Sequence, residues 1–360
     1  MAASPTRNLF TPIQVGANLF ANRIFLAPLT RARAGPTHVP NDLMKEYYTQ
    51  RASGGLLITE CTMIAPGTSA FYGEPGLYTR EQLLKWKEIT DAVHAKGGKI
   101  FAQIWHAGRA AHPDLNDGAE IVAPSAIAVE GTIHTPNGKV PNVQPRQLGV
   151  EELPANVQTF AMAAKNSIEL GGFDGVEVHA ANGYLIDQFL RDGSNKRTDE
   201  YGGSLENRTR FLSEVLEAVT AAVGADRVGI RFSPLNSYNS MVDSDPAALS
   251  EAVAKVAQKH NLAYFHVMRA DFDQVQTGDV VPICREHFNN TLIVNMGYTK
   301  DEANAGIANG LFDAVAFGTS FLANPDLPAR FEKGAELNAP DPSTFYVGGA
   351  KGYTDYPFLP

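Results

Sequence analysis

Apolar runs rich in β-branched residues recur along the chain, and each is followed by a longer segment with helical spacing. There are eight such runs: Arg23–Pro28, Gly55–Glu60, Lys99–Trp105, Asp174–His179, Arg227–Phe232, Ala263–Met268, Thr291–Asn295 and Asp313–Phe317. Nearly continuous apolar runs suit strands buried on both faces, as a parallel sheet requires. Eight strands that alternate with eight helices over this length predict an α/β fold, a (β/α)8 TIM barrel.

The predicted helices follow the strands, at about Pro40–Ser53, Arg80–Lys96, Glu151–Leu170, Leu205–Val223, Asp245–His260, Val280–Phe288, Lys300–Asn309 and Pro328–Lys333. Thr79 and Ser204 precede two of them as N-cap residues. The alternative architecture is a doubly wound sheet with an appended domain. No G-x-G-x-x-G follows the first strand, and this disfavours the dinucleotide site of a Rossmann fold.

Two segments lie outside the alternation. Leu9–Asn22 precedes the first strand and predicts a short hairpin that plugs the N-terminal end of the barrel. Gly108–Leu148, rich in Pro, Gly and Asn, is a long excursion after the third strand, and insertions of this length usually serve function, here as a lid. Because no repeat or linker divides the chain, we predict one domain over residues 1–360.

The charge balance limits the partners of this chain. Lys and Arg number 30 against 39 Asp and Glu, for a formal net charge of −9. Without a run of Lys or Arg, such a chain gains nothing from phosphate neutralisation, so we exclude nucleic acid and anionic membranes as partners. The start, MAASPTRNLF, lacks the apolar core of a signal peptide. Cys61 on a predicted strand and Cys284 on a predicted helix indicate reduced thiols, and we expect a cytoplasmic protein.

In a TIM barrel the functional residues lie at the carboxyl ends of the strands and in the loops that follow them. The residues at these positions are unusually polar: Thr30 and Arg31, Glu60 and Cys61, Gln103 and His106, His179, Arg231, Asn295, and Gly318.

The densest group is His179, Asn182 and Tyr184, at the end of the fourth strand. Imidazole and amide N–H groups can share a carbonyl oxygen and stabilise the negative charge that develops when hydride adds to a conjugated alkene. A phenol can protonate the adjacent carbon. The alternative is a structural His beside a core Tyr. A metal ligand is disfavoured because no second His or carboxylate lies at ligand spacing on that strand, so we predict no metal site.

Arg231 is a lone cation in an apolar strand, and buried Arg is rare unless paired. An anionic cofactor would justify it, and pairing with Glu177 is an equally good alternative. Gln103 ends the third strand and offers donors and an acceptor to a heterocycle edge, although taken alone it favours a structural role. The glycine turns Met296–Tyr298 and Phe317–Thr319 follow the last two strands, where many barrels hold a phosphate.

Read together, several segments resemble the Old Yellow Enzyme family of FMN-dependent reductases over nearly the whole chain. The matching segments are Ala27–Arg31, Ala102–Arg109, His179–Leu185, Arg197–Arg208 and Gly352–Pro357. Agreement in this order across five segments is highly specific.

The resemblance implies a role for each candidate residue. The isoalloxazine ring would be lined by Pro28, Leu29, Thr30, Cys61 and Gln103. Thr30 would tune the flavin potential, and Arg231 would stabilise the anionic reduced flavin. The phosphate would meet Met296, Gly297, Gly318 and Thr319. His179 and Asn182 would bind the substrate oxygen, and Tyr184 would donate the proton. The substrate pocket would be walled by Trp105, Phe71 and Tyr353.

The implied activity is a ping-pong reduction of activated C=C bonds. NADPH, or NADH, would reduce FMN and leave. An α,β-unsaturated carbonyl, quinone or nitro compound would then take hydride at the β carbon and a proton from Tyr184. Members of this family also act on oxylipins and prostaglandin endoperoxides. We expect a small-molecule substrate and a monomer or homodimer.

One position departs from the resemblance. The family usually has Arg after the glycine of the eighth-strand loop, where this chain has Thr319. How the phosphate is held is therefore an open question at this point. Two further functions are consistent with the barrel: a lyase or isomerase acting on a phosphorylated substrate without flavin, and a ligand-binding barrel without catalysis.

Overall fold

Parallel strands close into a barrel in the computed structural model, which describes residues 7–360. Met1–Thr6 lie outside the described residues. They begin the stretch MAASPTRNLF, which we predict not to be a signal peptide. The strands, in chain order, are β1 (Ile13–Val15), β2 (Asn18–Phe20), β3 (Ile24–Leu26), β4 (Leu57–Ile58), β5 (Thr62–Met63), β6 (Ile100–Trp105), β7 (Val122–Ala123), β8 (Thr132–Thr135), β9 (Gly138–Pro141), β10 (Arg146–Gln147), β11 (Gly175–Ala180), β12 (Val228–Phe232), β13 (Tyr264–Met268), β14 (Thr291–Asn295) and β15 (Ala314–Phe317).

The barrel closes because its first and last strands pair. Its order is β3–β4–β6–β11–β12–β13–β14–β15, and β15 pairs in parallel with β3. A doubly wound sheet has two free edges, and this one has none. The predicted TIM barrel is therefore confirmed.

Helices alternate with these strands and pack around the barrel. They are α1 (Asp42–Gln50), α2 (Arg80–Ala95), α3 (Leu153–Glu169), α4 (Leu185–Leu190), α5 (Leu205–Val223), α6 (Pro246–Lys259), α7 (Val281–His287), α8 (Lys300–Ala308), α9 (Thr319–Ala323) and α10 (Leu327–Lys333). Thr79 and Ser204 are N-caps, as the sequence predicts, and each side chain accepts a hydrogen bond from a backbone N–H of the first turn. Helices α4 and α9 are additions to the eight predicted ones, because six and five residues are too few to show a helical period.

The second barrel strand is shorter than predicted. The chain leaves β4 after Ile58 and pairs with β6 again only at β5, where Thr62 lies opposite Ile104. Between them the backbone N–H of Glu60 donates to the Tyr48 hydroxyl, 3.0 Å away. Cys61 thus lies between two short strands rather than on one. Cys284 is helical as predicted, and both thiols are free and buried.

The predicted hairpin plug is present at the N-terminal end of the barrel. Strands β1 and β2 pair antiparallel. Phe20 of β2 packs edge-on against Phe25 and Phe101, with ring centroids 5.4 and 6.2 Å apart. This aromatic cluster fills the barrel from below, so the opposite end is the one that remains for a site.

The excursion after β6 contains an exposed hairpin, β8–β9, and a short parallel pair, β7–β10. Its residues Val129 and Val143 belong to the apolar cluster that contains Trp105 and Tyr184. The excursion therefore borders the carboxyl-end face, as a lid requires. No helix within residues 7–360 combines the length and apolarity needed to cross a membrane.

Candidate functional site

An apolar cluster at the carboxyl ends of β6 and β11 forms the floor and wall of the site. Trp105 and Tyr184 meet edge to face with ring centroids 5.1 Å apart, and the His179 ring also lies edge to face with Tyr184 at 5.1 Å. Phe71 tilts against Trp105 at 6.4 Å. Four residues predicted to form the substrate site are thus brought together.

One hydrogen bond selects the tautomer of His179. The backbone N–H of Ala181 donates to Nδ1 at 3.3 Å, so Nδ1 is an acceptor and Nε2 carries the proton. Burial, reinforced by the charge of Arg231, holds the pKa of His179 well below its ordinary value. The side chain is therefore a neutral donor through Nε2.

Asn182 is held by its neighbours in one orientation. Its φ is 54°, in the left-handed region that Asn tolerates better than most residues, and its backbone N–H donates to Ser233 Oγ at 2.8 Å. Asn236 Nδ2 donates to Asn182 Oδ1 at 2.9 Å, while Asn236 Oδ1 accepts the backbone N–H of Tyr238. This chain of bonds leaves the Nδ2 hydrogens of Asn182 free to donate to another group. No sequence pattern indicates this role for Asn236.

Tyr184 keeps its proton because it is buried. Its side chain is only 5% exposed, and this burial raises the pKa of its phenol well above the ordinary value. The turn before it is fixed by Asp187, whose Oδ2 accepts the Gly183 N–H at 2.8 Å. Asp187 in turn forms a fully buried ion pair with Arg191. The phenol is thus positioned by charged groups that lie behind the site.

The loop after β3 supplies a second wall. Thr30 Oγ1 lies 2.9 Å from Cys61 Sγ, so the two groups share a hydrogen bond. Burial raises the pKa of the Cys61 thiol well above its usual range, and the group is therefore uncharged. Pro28 and Leu29 are half-buried in the same loop. The β3 and β15 loops are in contact here, since a Cβ placed on Gly318 would lie 3.6 Å from Leu29 Cδ2.

Inside the barrel mouth, Glu177 accepts three hydrogen bonds. Gln103 Nε2 donates to Oε1 at 2.8 Å, and the Tyr264 hydroxyl and His266 Nδ1 reach Oε2 at 3.1 and 2.9 Å. The other ring nitrogen of His266 lies 3.0 Å from Arg231 Nη1. Glu177 and His266 were not selected as site residues from the sequence.

Arg231 contacts Glu177 only indirectly. Within residues 7–360 no direct hydrogen bond joins them, since His266 lies between, and the pairing considered from the sequence is not found in that form. Arg231 Nη2 donates to Asn295 Oδ1 at 2.9 Å. Its Nε is buried and has no hydrogen-bond partner among the described residues. A buried donor of this kind calls for an acceptor from a bound molecule.

The two glycine turns at the ends of β14 and β15 lie side by side. Met296 and Gly297 have φ values of 91° and 70°, while Gly318 caps α9 and Thr319 is exposed at its start. A cation does reach this edge of the barrel. Arg269 donates through Nε to the Met296 carbonyl at 2.8 Å and through Nη2 to the Gly297 carbonyl at 3.1 Å.

Arg269 is also held from its other side. Its guanidinium carbon lies 3.6 Å from the centroid of the Tyr298 ring, and it forms an ion pair with Glu302. Lys300, the other cation on this loop, instead lies 6.0 Å from the centroid of the Phe10 ring. Arg269 therefore brings a guanidinium into direct contact with the first of the predicted phosphate turns.

Tyr353 is not brought into the site. It is fully buried and stacks on Tyr47 with ring centroids 4.2 Å apart, while the Arg31 guanidinium lies 5.0 Å from its ring. Tyr346, which was not selected from the sequence, stacks on Phe71 at 5.9 Å and is 56% exposed. Both tyrosines lie in one loop-rich segment without periodicity, so no local signal distinguishes the wall residue from the core residue.

Two arginines attach this C-terminal segment to the β3 loop. Arg31 donates to the carbonyls of Phe345 and Gly352, at 3.0 and 2.7 Å. Arg33 donates to the carbonyls of Thr344 and Val347, both at 2.7 Å. Residues 344–353, here called the C-terminal strap, are thereby held against the loop that carries Thr30.

Comparison with known proteins places this architecture in a family. Residues 8–338 match the model of the NADH:flavin oxidoreductase / NADH oxidase family. A probable flavin mononucleotide-dependent alkene reductase of Leishmania infantum is 48% identical over 357 residues, covering 98% of this chain and 97% of that protein.

Solved structures agree over the full length. Morphinone reductase superposes with a TM-score of 0.94 at 44% identity, covering 100% of this chain and 98% of that chain. The old yellow enzyme from Trypanosoma cruzi superposes with a TM-score of 0.96 at 40% identity, covering 99% and 100%. Similarity of this extent, on a barrel whose polar strand ends converge on one face, makes the chain a member of the FMN-dependent Old Yellow Enzyme family of oxidoreductases.

Proposed function

We propose that this protein reduces the activated C=C bond of small α,β-unsaturated carbonyl compounds, and also quinones or nitro compounds, with NADPH or NADH as the hydride source. The observation that carries the proposal is the pairing of two uncharged donors, on His179 and Asn182, with a buried protonated phenol on Tyr184. The relatives named as alkene reductase and morphinone reductase support this substrate class.

The residues of the barrel mouth fit FMN. The orphaned Nε of Arg231 offers a cationic donor to an electron-rich ring edge, and Gln103 lies two strands away, where it donates to Glu177. The loop of Pro28, Leu29 and Thr30 would line the ring with Cys61, and the β14 and β15 turns would hold the phosphate. When bound, FMN supplies the hydride that the alkene receives.

His179 and Asn182 act on the substrate oxygen. Because His179 is neutral, its Nε2–H polarises the oxygen without donating a full proton, and the Asn182 amide adds a second donor. Both donors are held before substrate arrives, by Ala181 and Asn236, so little reorganisation is needed as negative charge develops. Each such donor typically contributes about 3–4 kcal/mol of transition-state stabilisation.

Tyr184 delivers a proton to the α carbon. Its raised pKa keeps the phenol protonated in the resting site, and the carbanion-like carbon is a much stronger base than the phenolate. Trp105 packs against the Tyr184 ring and Phe71 packs against Trp105, and the Tyr184 ring is buried away from water. The pocket therefore protonates carbon from one defined direction.

The test compares Tyr184→Phe with wild-type protein reconstituted with FMN. Anaerobic stopped-flow measurements would follow reduction by NADPH or NADH separately from reoxidation by an enone and by a quinone. We expect reduction by the nicotinamide to be nearly unchanged and enone reoxidation to fall about 10²–10⁴-fold. Quinone reoxidation should persist, because it needs no carbon protonation.

The matched control is Tyr238→Phe. This phenol is partly exposed and close enough to perturb Tyr184, yet no role is assigned to it. It should leave enone reoxidation within a few-fold of wild type. An equal loss in the enone and quinone reactions of Tyr184→Phe would refute the proton-donor role.

A further inference from the structure

The interior of the barrel mouth contains a continuous line of hydrogen bonds that the proposed reaction does not use. Glu177 and Gln103 are register partners on β11 and β6, and Arg231 and His266 are register partners on β12 and β13. Glu177 lies two residues before His179, which is the register partner of Arg231 on β11, so the two pairs occupy successive levels of the barrel interior. The side chains of Glu177 and His266 are fully inaccessible.

Donor and acceptor chemistry allows one protonation pattern for this line. Arginine can only donate, so the His266 nitrogen that faces Arg231 Nη1 at 3.0 Å must accept. Nδ1 then carries the ring proton and donates to Glu177 Oε2 at 2.9 Å. Glu177 also accepts from Gln103 and Tyr264, so all three of its partners donate and the carboxylate is ionised.

The charges of the line agree with this pattern. Burial raises the pKa of Glu177, but His266 and the Arg231 charge outweigh it and hold the pKa below the ordinary value. Burial lowers the pKa of His266 more than Glu177 raises it, so the ring is neutral. The line therefore carries one negative charge on Glu177 and one positive charge on Arg231, with a neutral ring between them.

We propose that Glu177 and His266 are positioning residues that aim Gln103 and Arg231 at the flavin and partly neutralise Arg231, thereby lowering the reduction potential of bound FMN. The inference rests on FMN binding as proposed above. Gln103 is held through Nε2, which leaves its Oε1 as the acceptor available to a bound ring. Arg231 is held through both Nη atoms, which leaves its Nε available.

The consequence for redox behaviour follows from electrostatics. A cation beside the ring favours the anionic reduced flavin, and a nearby carboxylate weakens that preference. Glu177→Gln removes the negative charge while keeping the size of the side chain. We expect the ratio of affinities for reduced and oxidised FMN to rise at least about tenfold, a shift of about +30 mV for a two-electron couple.

The matched control is Tyr264→Phe. It removes another hydrogen bond to the same carboxylate but keeps the charge and the link to His266. In this variant the ratio of affinities for reduced and oxidised FMN should change by less than about threefold. Potentials would be measured by anaerobic dye equilibration of the reconstituted proteins, alongside FMN dissociation constants from fluorescence quenching.

A second measurement needs neither flavin nor a carboxylate variant. The ¹⁵N shifts of the histidine rings in wild-type apo-protein report the tautomer, with His266 identified as the signal lost in His266→Gln. A neutral ring protonated on Nδ1 at pH 7 is expected. A cationic His266 ring, or a neutral ring protonated on Nε2, would overturn the proposed line of hydrogen bonds. This result would count even if the Glu177→Gln variant failed to fold.

The outcomes separate this inference from the proposed function. If FMN binds and the potential of Glu177→Gln stays at the wild-type or Tyr264→Phe value, the tuning role is overturned and the reductase proposal stands. If no FMN binds to the wild-type protein, the tuning role and the reductase proposal are both overturned. The ¹⁵N shifts of the His266 ring still show whether the line of hydrogen bonds exists.

Discussion

Reversing the amide of Asn182 without removing it is the most discriminating test of the oxygen-binding pair. In the wild-type protein Asn236 Nδ2 donates to Asn182 Oδ1, so the Asn182 Nδ2 hydrogens stay free. Asn236→Asp replaces that donor with an acceptor and keeps the oxygen that accepts the Tyr238 N–H. The Asn182 amide should then rotate, so that its Nδ2 donates to the introduced carboxylate and its Oδ1 faces the substrate instead.

The magnitude follows from the two orientations. A neutral hydrogen bond contributes about 1 kcal/mol, and leaving the rotated amide facing the wrong group costs about 1–3 kcal/mol more. With a carboxylate at position 236, the rotated orientation gains the hydrogen bond and the original orientation carries the cost. Rotation of the Asn182 amide should therefore be nearly complete. Loss of one oxyanion donor then lowers the rate of enone reduction about 10²–10³-fold.

The pH dependence of the Asn236→Asp variant provides a second test of this prediction. Asn236 is fully buried, and burial raises the pKa of a carboxyl group placed there. When it is protonated, the introduced carboxyl group can donate again to Asn182 Oδ1. Enone reduction by Asn236→Asp should therefore recover as the pH falls from about 8 to about 5.5, relative to wild type. Titration with a phenol, whose phenolate resembles the charged oxygen, should show the same recovery in affinity.

The control is Asn239→Asp, the same chemical change in the same loop. Asn239 Nδ2 donates to the backbone carbonyl of Asn182 at 2.9 Å and does not touch its amide. Stopped-flow reoxidation by an enone should fall far less in this variant. If both variants lose the same activity, or Asn236→Asp shows no recovery at low pH, the orientation of Asn182 does not depend on Asn236.

Two further predictions concern the cofactor and stability. Thr319→Arg should tighten FMN about tenfold or more and increase its salt sensitivity, because a bidentate guanidinium is a better phosphate partner than a hydroxyl. Riboflavin should gain nothing in the same fluorescence titration, and unchanged FMN affinity would mean that the phosphate is already satisfied without an arginine at position 319. Glu60 is buried, and burial raises its pKa from 4.5 to about 7. Its folded form holds a proton more tightly than the unfolded chain, so the free energy of unfolding should fall by about 3 kcal/mol as the pH rises from about 4.5 to about 7, at about 1.36 kcal/mol per pH unit. Denaturant titrations at several pH values should show this fall in the wild-type protein and a smaller one in Glu60→Gln. An equal dependence of the free energy of unfolding on pH in both proteins would contradict the prediction.

The barrel was predictable from the sequence because its signal is repeated. Each interior strand is an apolar run, and closure needs only that eight such units follow one another. The end of the second strand was harder to predict. Its early break depends on Tyr48, which lies on α1 and accepts the Glu60 N–H from outside the strand.

The site was predictable where one short segment carries several groups. His179, Asn182 and Tyr184 follow one another through a single turn, so their spacing alone brings them together. Asn236 and His266 lie on other strands or loops, and their contacts to Asn182 and Glu177 arise only when the barrel closes.

The C-terminal strap has a consequence for the order in which the protein is made. Its contacts join Arg31 to Phe345 and Gly352, more than 300 positions apart in the chain. Residues 8–338, the range that matches the family model, already include every barrel strand. During synthesis the barrel strands can therefore all emerge before Tyr346, the wall that stacks on Phe71, has left the ribosome. The pocket acquires its last wall only after every barrel strand has been made, and a polypeptide stopped short of the strap would contain every barrel strand around an unfinished site.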